Sequence, residues 1–402
     1  MTVDAPAQQR WLALATLTSA STTLAYLPAF LLGGLAVLLR ADLGLSEAGL
    51  GLAVATFFGS SALASIPGGR LAERIGARRS IAVAGTVSVG SLIGMGWLTS
   101  TAAHLFAFLV VAGAANGLAQ PASNLALARG VAPARRALAF GVKQSAIPLT
   151  GLIAGVAVPL LAVPFGWRSA FLASTVIAGA SVLLPAVPRA GRVVARGSSS
   201  RPRVRTRALT VLAVGAGFGS AAANSLGAFL VFSAVKGGVD VSVAGLLLAC
   251  GSGVSIVVRL VVGWVADRWH GPPLMAVAGM LAVGVVGFGT IAVADSMRWL
   301  VVGTVVAFGA GWGWPGLFHL AVVNRSMHAP AASTGVTQTG VFLGGMLGPI
   351  GFGLLAGGVG FASAWLAAAA TAAGAALLTL VGAHLLRQET RHEARTSAKD
   401  GR

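Results

Sequence analysis

Twelve long apolar runs, separated by short polar breaks, account for most of the chain. They fall at 11–39, 47–68, 80–99, 102–128, 138–163 and 167–187, then at 208–235, 241–264, 274–294, 297–323, 332–358 and 361–386. Each approaches or exceeds the roughly 20 residues that a helix needs to cross a bilayer. The runs are continuous rather than alternating over about ten residues, so the pattern predicts membrane helices and not the strands of a barrel. The one long break, 188–207, holds seven arginines, no acid and the run Gly197-Ser198-Ser199-Ser200. It is expected to be a flexible basic linker. The predicted organisation is therefore an N-terminal six-helix bundle over 1–187, the linker over 188–207, a C-terminal six-helix bundle over 208–386 and a tail over 387–402.

The two bundles repeat one another. Glu73-Arg74 returns 194 positions later as Asp267-Arg268, Gly117 as Gly311 and Pro121 as Pro315. Gly141-Val142, Gln144 and Gly151 return as Gly335-Val336, Gln338 and Gly345. Gly166, Ser169, Ala170 and Leu172 return as Gly360, Ser363, Ala364 and Leu366. Six spans bring the chain back to the side it started from, so the halves share an orientation. An axis along the membrane normal should relate them, one of the repeat arrangements of alternating-access transporters.

Composition narrows the picture further. Of 402 residues, 56% are hydrophobic and 9% charged, against about a quarter charged in a soluble domain. The 56 glycines suit closely packed membrane helices. The net charge of +18 would point to nucleic acid in a soluble protein. Here 22 of the 28 Lys and Arg fall in the two tails and the even-numbered loops, and only Arg40, Arg168, Lys236 and Arg298 in the odd-numbered ones. That bias places both termini in the cytoplasm and accounts for the charge without nucleic acid. The expected location is the plasma membrane. The single Cys250 excludes an internal disulfide and any cysteine-based metal cluster.

After the second run come Gly69, Glu73-Arg74, Gly76 and Arg78-Arg79; after the eighth come Gly263 and Asp267-Arg268 without a basic pair. This pattern resembles the signature between the second and third helices of the major facilitator superfamily, with Glu in place of the usual Asp and Ala77 displacing the basics by one place. The resemblance covers nearly the whole chain. It implies an all-α membrane fold whose two bundles, related by a pseudo-two-fold axis, rock about a central site. It also implies a gating role for Gly69, Glu73, Arg74, Gly76, Arg78, Gly263, Asp267 and Arg268. The chemistry agrees, because Gly69 lets backbones approach closely. Glu73 at a membrane edge can pair with arginines or face a positive helix N-terminus. Two departures bear on function. The fourth helix opens with Phe106-Ala107-Phe108-Leu109-Val110-Val111, without the arginine of many proton-coupled relatives. The fifth has Gly151, Gly155 and Pro159 in place of the drug-antiporter Gly-Pro signature, of which the eleventh keeps a partial version from Gly344 to Gly348-Pro349.

Polar groups inside a membrane require a reason. All ten acids lie outside the span interiors, so no carboxylate is placed for a buried proton relay. Lys143 lies within a span beside Gln144 and Ser145 with no obvious intramembrane partner. It either faces a cavity, favouring an anionic substrate, or snorkels to the cytoplasmic edge. Arg259, four residues before Gly263, is expected to snorkel. Asn116, Gln120 and Asn124 share one face of the fourth helix. Trp312, Trp314 and His319 surround Pro315, and proline at 121 and 315 should loosen both helices. With Tyr26, Asn224, Gln144 and Gln338, these are the substrate-site candidates, since cavity-lining helices of the family carry them. For each amide the competing role is a helix–helix hydrogen bond, and for His319 it is packing rather than proton carriage.

The expected function is secondary active transport of a small organic solute, with Lys143 favouring an anion. A drug or metabolite efflux pump of the same fold is the alternative. A membrane-embedded enzyme is remote, because the six histidines are scattered and no HExxH pattern or Ser/His/Asp set can be placed. The chain has no GxxxxGK[ST] loop, so energy must come from a gradient or from the solute itself. No cofactor or metal is expected. The implied partners are the solute, the bilayer and, left open, a coupling proton or ion. A monomer is expected to suffice.

Overall fold

A single segment in lipid satisfies its backbone hydrogen bonds by coiling into a helix, and each apolar run does so. The computed structural model describes residues 5–45, 47–183, 207–239, 241–269 and 271–400. The first half contains α1 (Ala5–Gly34, extended by a short segment Ala36–Leu43), α2 (Glu47–Ile75) and α3 (Ala77–Ile93, widening into a π turn over Gly94–Leu98). It continues with α4 (Ala102–Gly130), α5 (Pro133–Ala157, followed by a π turn over Val158–Ala162) and α6 (Trp167–Leu183). The second half contains α7 (Arg207–Lys236), α8 (Val241–Ala266) and α9 (Pro273–Ala292). It ends with α10 (Met297–Val306, a π turn over Ala307–Gly311, then Pro315–Arg325), α11 (Pro330–Val359) and α12 (Phe361–Asp400). Eleven of these are long and apolar enough to cross a bilayer; α6 is described over 17 residues. The arginine-rich stretch from 188 to 206 lies outside the described residues.

Three expectations change. The acid–base signature does not sit in a loop, because α2 runs on through Ile75 and only Gly76 separates it from α3. Gly76 has φ +86°, a conformation open to glycine without strain. The segment after 386 continues α12 unbroken to Asp400. Pro121 does not loosen α4, which is helical throughout. Packing holds that turn, since a Cβ added to Gly68 of α2 would lie 2.8 Å from the carbonyl oxygen of Gly117. Pro315 does mark a break, and starts the second part of α10 after the non-helical residues Trp312 to Trp314.

The repeat in sequence is a repeat in packing. Within the halves α1 lies on α5 as α7 lies on α11, α2 on α4 as α8 on α10, and α3 on α6 as α9 on α12. Between the halves α5 packs on α8 and α11 packs on α2. Left-handed glycines recur at the same offset, Gly44 (φ +66°) with Gly238 (+89°), and Gly166 (+80°) with Gly360 (+95°). One feature is not repeated. Asp42 accepts hydrogen bonds from Trp167 Nε1 (2.9 Å) and Arg168 (2.8 Å), while Arg168 also donates to the Thr99 carbonyl (2.9 Å). These bonds, Trp167 first, hold the Asp42 carboxyl below its ordinary pKa. The corresponding positions are Lys236, Phe361 and Ala362, which cannot form the same latch.

With no hydrophobic drive between helices in lipid, close backbone packing carries association. On α11, Gly340, Gly344 and Gly348 face α7 at four-residue spacing, so close that a Cβ on Gly340 would fall inside the Ala213 carbonyl oxygen. Gly340→Ala should therefore force α7 and α11 apart at a cost of about 1–3 kcal/mol, read as a lowered melting temperature in detergent. Gly357→Ala, on the same helix with open space around it, should leave the melting temperature unchanged or slightly higher.

Candidate functional site

At the arginine-rich face the halves are joined by two reciprocal contacts. Glu73, in the last turns of α2, accepts the Ala331 N–H (2.7 Å) in the first turn of α11. Asp267, just past α8, accepts the Ala137 and Leu138 N–H groups of α5 (2.8 and 3.0 Å). Each places a carboxylate near the N-terminal end of a helix of the other half, where the helix dipole favours negative charge. The spacing glycines lie beside them. A Cβ on Gly69 would come 2.5 Å from the Ala331 carbonyl oxygen, and one on Gly263 would come 2.9 Å from that of Ala137. One step deeper, a Cβ on Gly335 would come 2.6 Å from the Ser65 carbonyl oxygen, and one on Gly141 would come 2.5 Å from that of Arg259. All three pairs obey the 194-residue offset.

The symmetry stops at the charges. Glu73 also pairs with Arg129 at the end of α4 (2.6 Å), but the position equivalent to Arg129 is Val323. Arg268 turns back on Trp264, donating to its carbonyl (3.0 Å) and lying 4.0 Å from its ring. Partial burial therefore raises the Asp267 carboxyl above its ordinary pKa, against the pull of the two N–H groups. Arg74 and Arg78 are exposed on the same face. Arg136 adds a bond across the seam to Asn324 Oδ1 (3.0 Å).

Further inside, a polar cluster crosses the seam. On α4, Gln120 donates to Asn116 Oδ1 (3.4 Å), and Asn116 donates to Ser61 of α2 (3.2 Å). Lys143 of α5 reaches this face and donates to Gln120 Oε1 (2.9 Å) and Asn124 Oδ1 (2.8 Å). Its side chain is fully buried, so it does not snorkel. The next residue, Gln144, faces the other half, with its Nε2 2.8 Å from Nδ1 of His319 on α10. The far ring nitrogen of His319 lies 2.6 Å from Gln338 Oε1 on α11. Gln144 and Gln338 are repeat-related, so the two halves present equivalent amides to a single imidazole.

Arg259 corrects the sequence reading. It does not snorkel but is 1% exposed, donating to the carbonyls of Gln144 and Trp312, the latter at 2.7 Å. The Trp312 ring lies 6.0 Å from its guanidinium. The reason lies in the seam: the end of α8 is pressed onto α5 at Gly141, which turns this side chain inward. Its equivalence to Ser65, on the seam face of α2, was the signal available in the sequence. Among the described residues neither Lys143 nor Arg259 forms an ion pair. The Nε of Arg259 and the Oε1 of Gln144 are buried without a partner.

The structure thus brings together Asn116, Gln120, Asn124, Lys143, Gln144, Trp312, His319 and Gln338, with Arg259 and Ser61 added. Tyr26 caps the cluster under a lid of Phe30, Phe57, Phe58 and Phe342, with ring centroids 6.3 to 6.5 Å away. Asn224 stands apart, bonding to Ser220 of its own helix (2.8 and 3.0 Å). Trp314 is buried in apolar packing, edge-on to Phe318 (5.5 Å).

A gating role for the two carboxylates predicts that Glu73→Gln and Asp267→Asn each bias the protein toward opening at the arginine-rich face by about 1–2 kcal/mol. Spin labels at that end of α4 and α10, in a Cys250→Ser background, should report a longer-distance population in both variants. Distance distributions identical to the parent protein would sink the role.

The Major Facilitator Superfamily description matches residues 18–349 and again 238–402. No curated protein matches the chain. Among solved structures the chain is similar to XylE, a proton:xylose symporter bound to 6-bromo-6-deoxy-D-glucose, with TM-score 0.74 and 14% identity over 93% of this chain and 96% of that one. It is similar also to FucP in the outward conformation, with TM-score 0.70 and 14% identity over 92% and 98%. A variant of FucP, the E. coli fucose:proton symporter, gives TM-score 0.72 and 15% identity over 92% and 98%. Identities this low establish a shared architecture, and the family match adds the class of protein: with the helices of the described residues arranged in two equivalent bundles meeting at a buried polar site, this chain belongs to the major facilitator superfamily, a family of membrane transporters.

Proposed function

We propose that the protein is a secondary transporter of a small organic anion, and that the solute binds between Lys143 and Arg259. The observation that carries this reading is the pair of buried cations with only neutral partners. An uncompensated charge in a low-dielectric interior is strongly destabilising. An anion between the two helices would supply the missing countercharge, and the amides of Asn116, Gln120 and Asn124 would bind its neutral polar groups. The arginine-rich face is the cytoplasmic one by the positive-inside rule, with the chain in the plasma membrane and both termini in the cytoplasm. The seam sealed by Glu73 and Asp267 then closes the cytoplasmic side. The bundles are 1–187 and 208–386, joined by the basic linker. One chain holds every residue of the site, so a monomer is sufficient.

The reading is tested with purified protein and a panel of lactate, benzoate, succinate and citrate beside neutral sugars and cationic dyes. At least one carboxylate should raise the melting temperature and be taken up by proteoliposomes, with ligand-induced stabilisation of about 3 kcal/mol at 100-fold saturation. Lys143→Gln and Arg259→Gln should each weaken that binding by about tenfold or more. Stabilisation by sugars or dyes with none by carboxylates would overturn the assignment in favour of a neutral solute or the efflux alternative.

A further inference from the structure

A second layer is stacked on the polar cluster, on the side away from the arginine-rich face, and it is aromatic. One turn in that direction, Ser61 of α2 gives way to Phe57 and Phe58, and Gln338 of α11 gives way to Phe342. On α10 the residues beyond Pro315 are Trp312 and Phe308. On α1, Tyr26 is followed by Phe30, and on α5, Lys143 is followed by Ile147. Arg259 of α8 differs, with the small polar Ser255 one turn beyond it. Residues four apart share a helix face, so the rings lie over the polar groups rather than beside them.

Tyr26 joins the two layers. Its ring packs among four phenylalanines, and its phenol interacts with Asn116 and, across the seam, with Arg259. Phe58 of one half stands 6.4 Å from Phe342 of the other. Trp312 forms a further wall, its ring 6.0 Å from the Arg259 guanidinium and 5.4 Å from Phe308. It reaches α7, where a Cβ on Gly227 would come 3.1 Å from it. In the polar layer, few groups are left over. The side-chain oxygens of Asn116, Gln120 and Asn124 already accept hydrogen bonds. Asn124 Nδ2, Gln144 Oε1 and Arg259 Nε are buried without a partner. Two spare donors beside two cations match a single carboxylate. A second carboxylate, or a chain of hydroxyls, would have its oxygens turned against ring carbons, where they lose their hydrogen bonds. A flat ring placed there instead gains edge and face contacts.

We infer that the solute is an aromatic monocarboxylate, its carboxylate held by Lys143 and Arg259 and its ring seated among Tyr26, Phe58, Phe342 and Trp312. This rests on the anion reading above and narrows it to one class of anion. The cations bind the charge, and the rings select what carries it. The solute's ring exchanges the contact that Phe58 and Phe342 make with each other for contact with both. Tyr26 and Phe58 belong to the first half, Trp312 and Phe342 to the second, so a seated ring bridges the seam.

Isothermal titration of the detergent-purified full chain with benzoate, phenylacetate, lactate, succinate and citrate tests the class. Benzoate or phenylacetate should bind about tenfold or more tightly than each of the other three. Phe58→Leu and Phe342→Leu remove a ring but keep an apolar side chain. Each should weaken binding of that aromatic acid about three- to tenfold and change lactate binding by less than about twofold. Should the variants fail to fold, fluorine NMR of the unaltered protein with para-fluorobenzoate should show a bound resonance, shifted by ring currents and displaced by benzoate. Lactate, succinate or citrate binding as tightly as the aromatic acids overturns the inference and leaves the anion site standing. So does aromatic binding undiminished in both leucine variants, or a bound resonance without a ring-current shift. If none of the five carboxylates binds, the anion reading fails and this inference falls with it.

Discussion

Close backbone contact across the seam between the halves is the constraint on which the remaining structure depends. Lipid offers no hydrophobic reward for pressing two bundles together. What remains is dispersion between surfaces smooth enough to meet and hydrogen bonds made where water is scarce. Gly69 and Gly335 let α2 and α11 meet without intervening side chains, and Gly141 and Gly263 do the same for α5 and α8. Backbones that close leave the first turn of α11 and the second turn of α5 within reach of Glu73 and Asp267. The carboxylates therefore report the packing; they could not reach those N–H groups if the glycines carried side chains.

The same contact has a consequence one turn deeper. Pressing α8 onto Gly141 turns Arg259 into the seam, and it carries α5 to where Gln144 meets His319. Two buried cations and one imidazole are thus assembled by helices whose apolar faces alone would not have specified them. A doubled scaffold holding an undoubled set of charges is the general feature here. Backbone contacts obey the repeat, whereas Lys143, Arg259 and His319 have Thr337, Ser65 and Leu125 at the equivalent positions.

The seam's own asymmetry follows the same division. Glu73 is held by Arg129, whose counterpart position is Val323, while Asp267 accepts the backbone N–H groups of Ala137 and Leu138. The latch of Asp42, Trp167 and Arg168 stiffens only the first bundle.

Much of this was legible in the chain itself. Hydropathy placed the helices because a bilayer enforces length and apolarity on any segment that crosses it, and most described starts lie within a few residues of the predicted ones, whereas α2 and α12 run on past the predicted ends to Ile75 and Asp400. The 194-residue offset located the pairs that meet across the seam, since both halves must offer matching faces to the same axis. Lys143, the amides of α4 and His319 stood out because buried polarity is rare in such a sequence. What only tertiary structure decided was direction. Arg259 reads as a residue near a helix end until α5 is packed against it, and Asn224 and Trp314 read as site residues until their neighbours are in place. A helix's sequence gives the angle between its side chains; which of those angles faces a partner depends on how a second helix, distant in the chain, is laid against it.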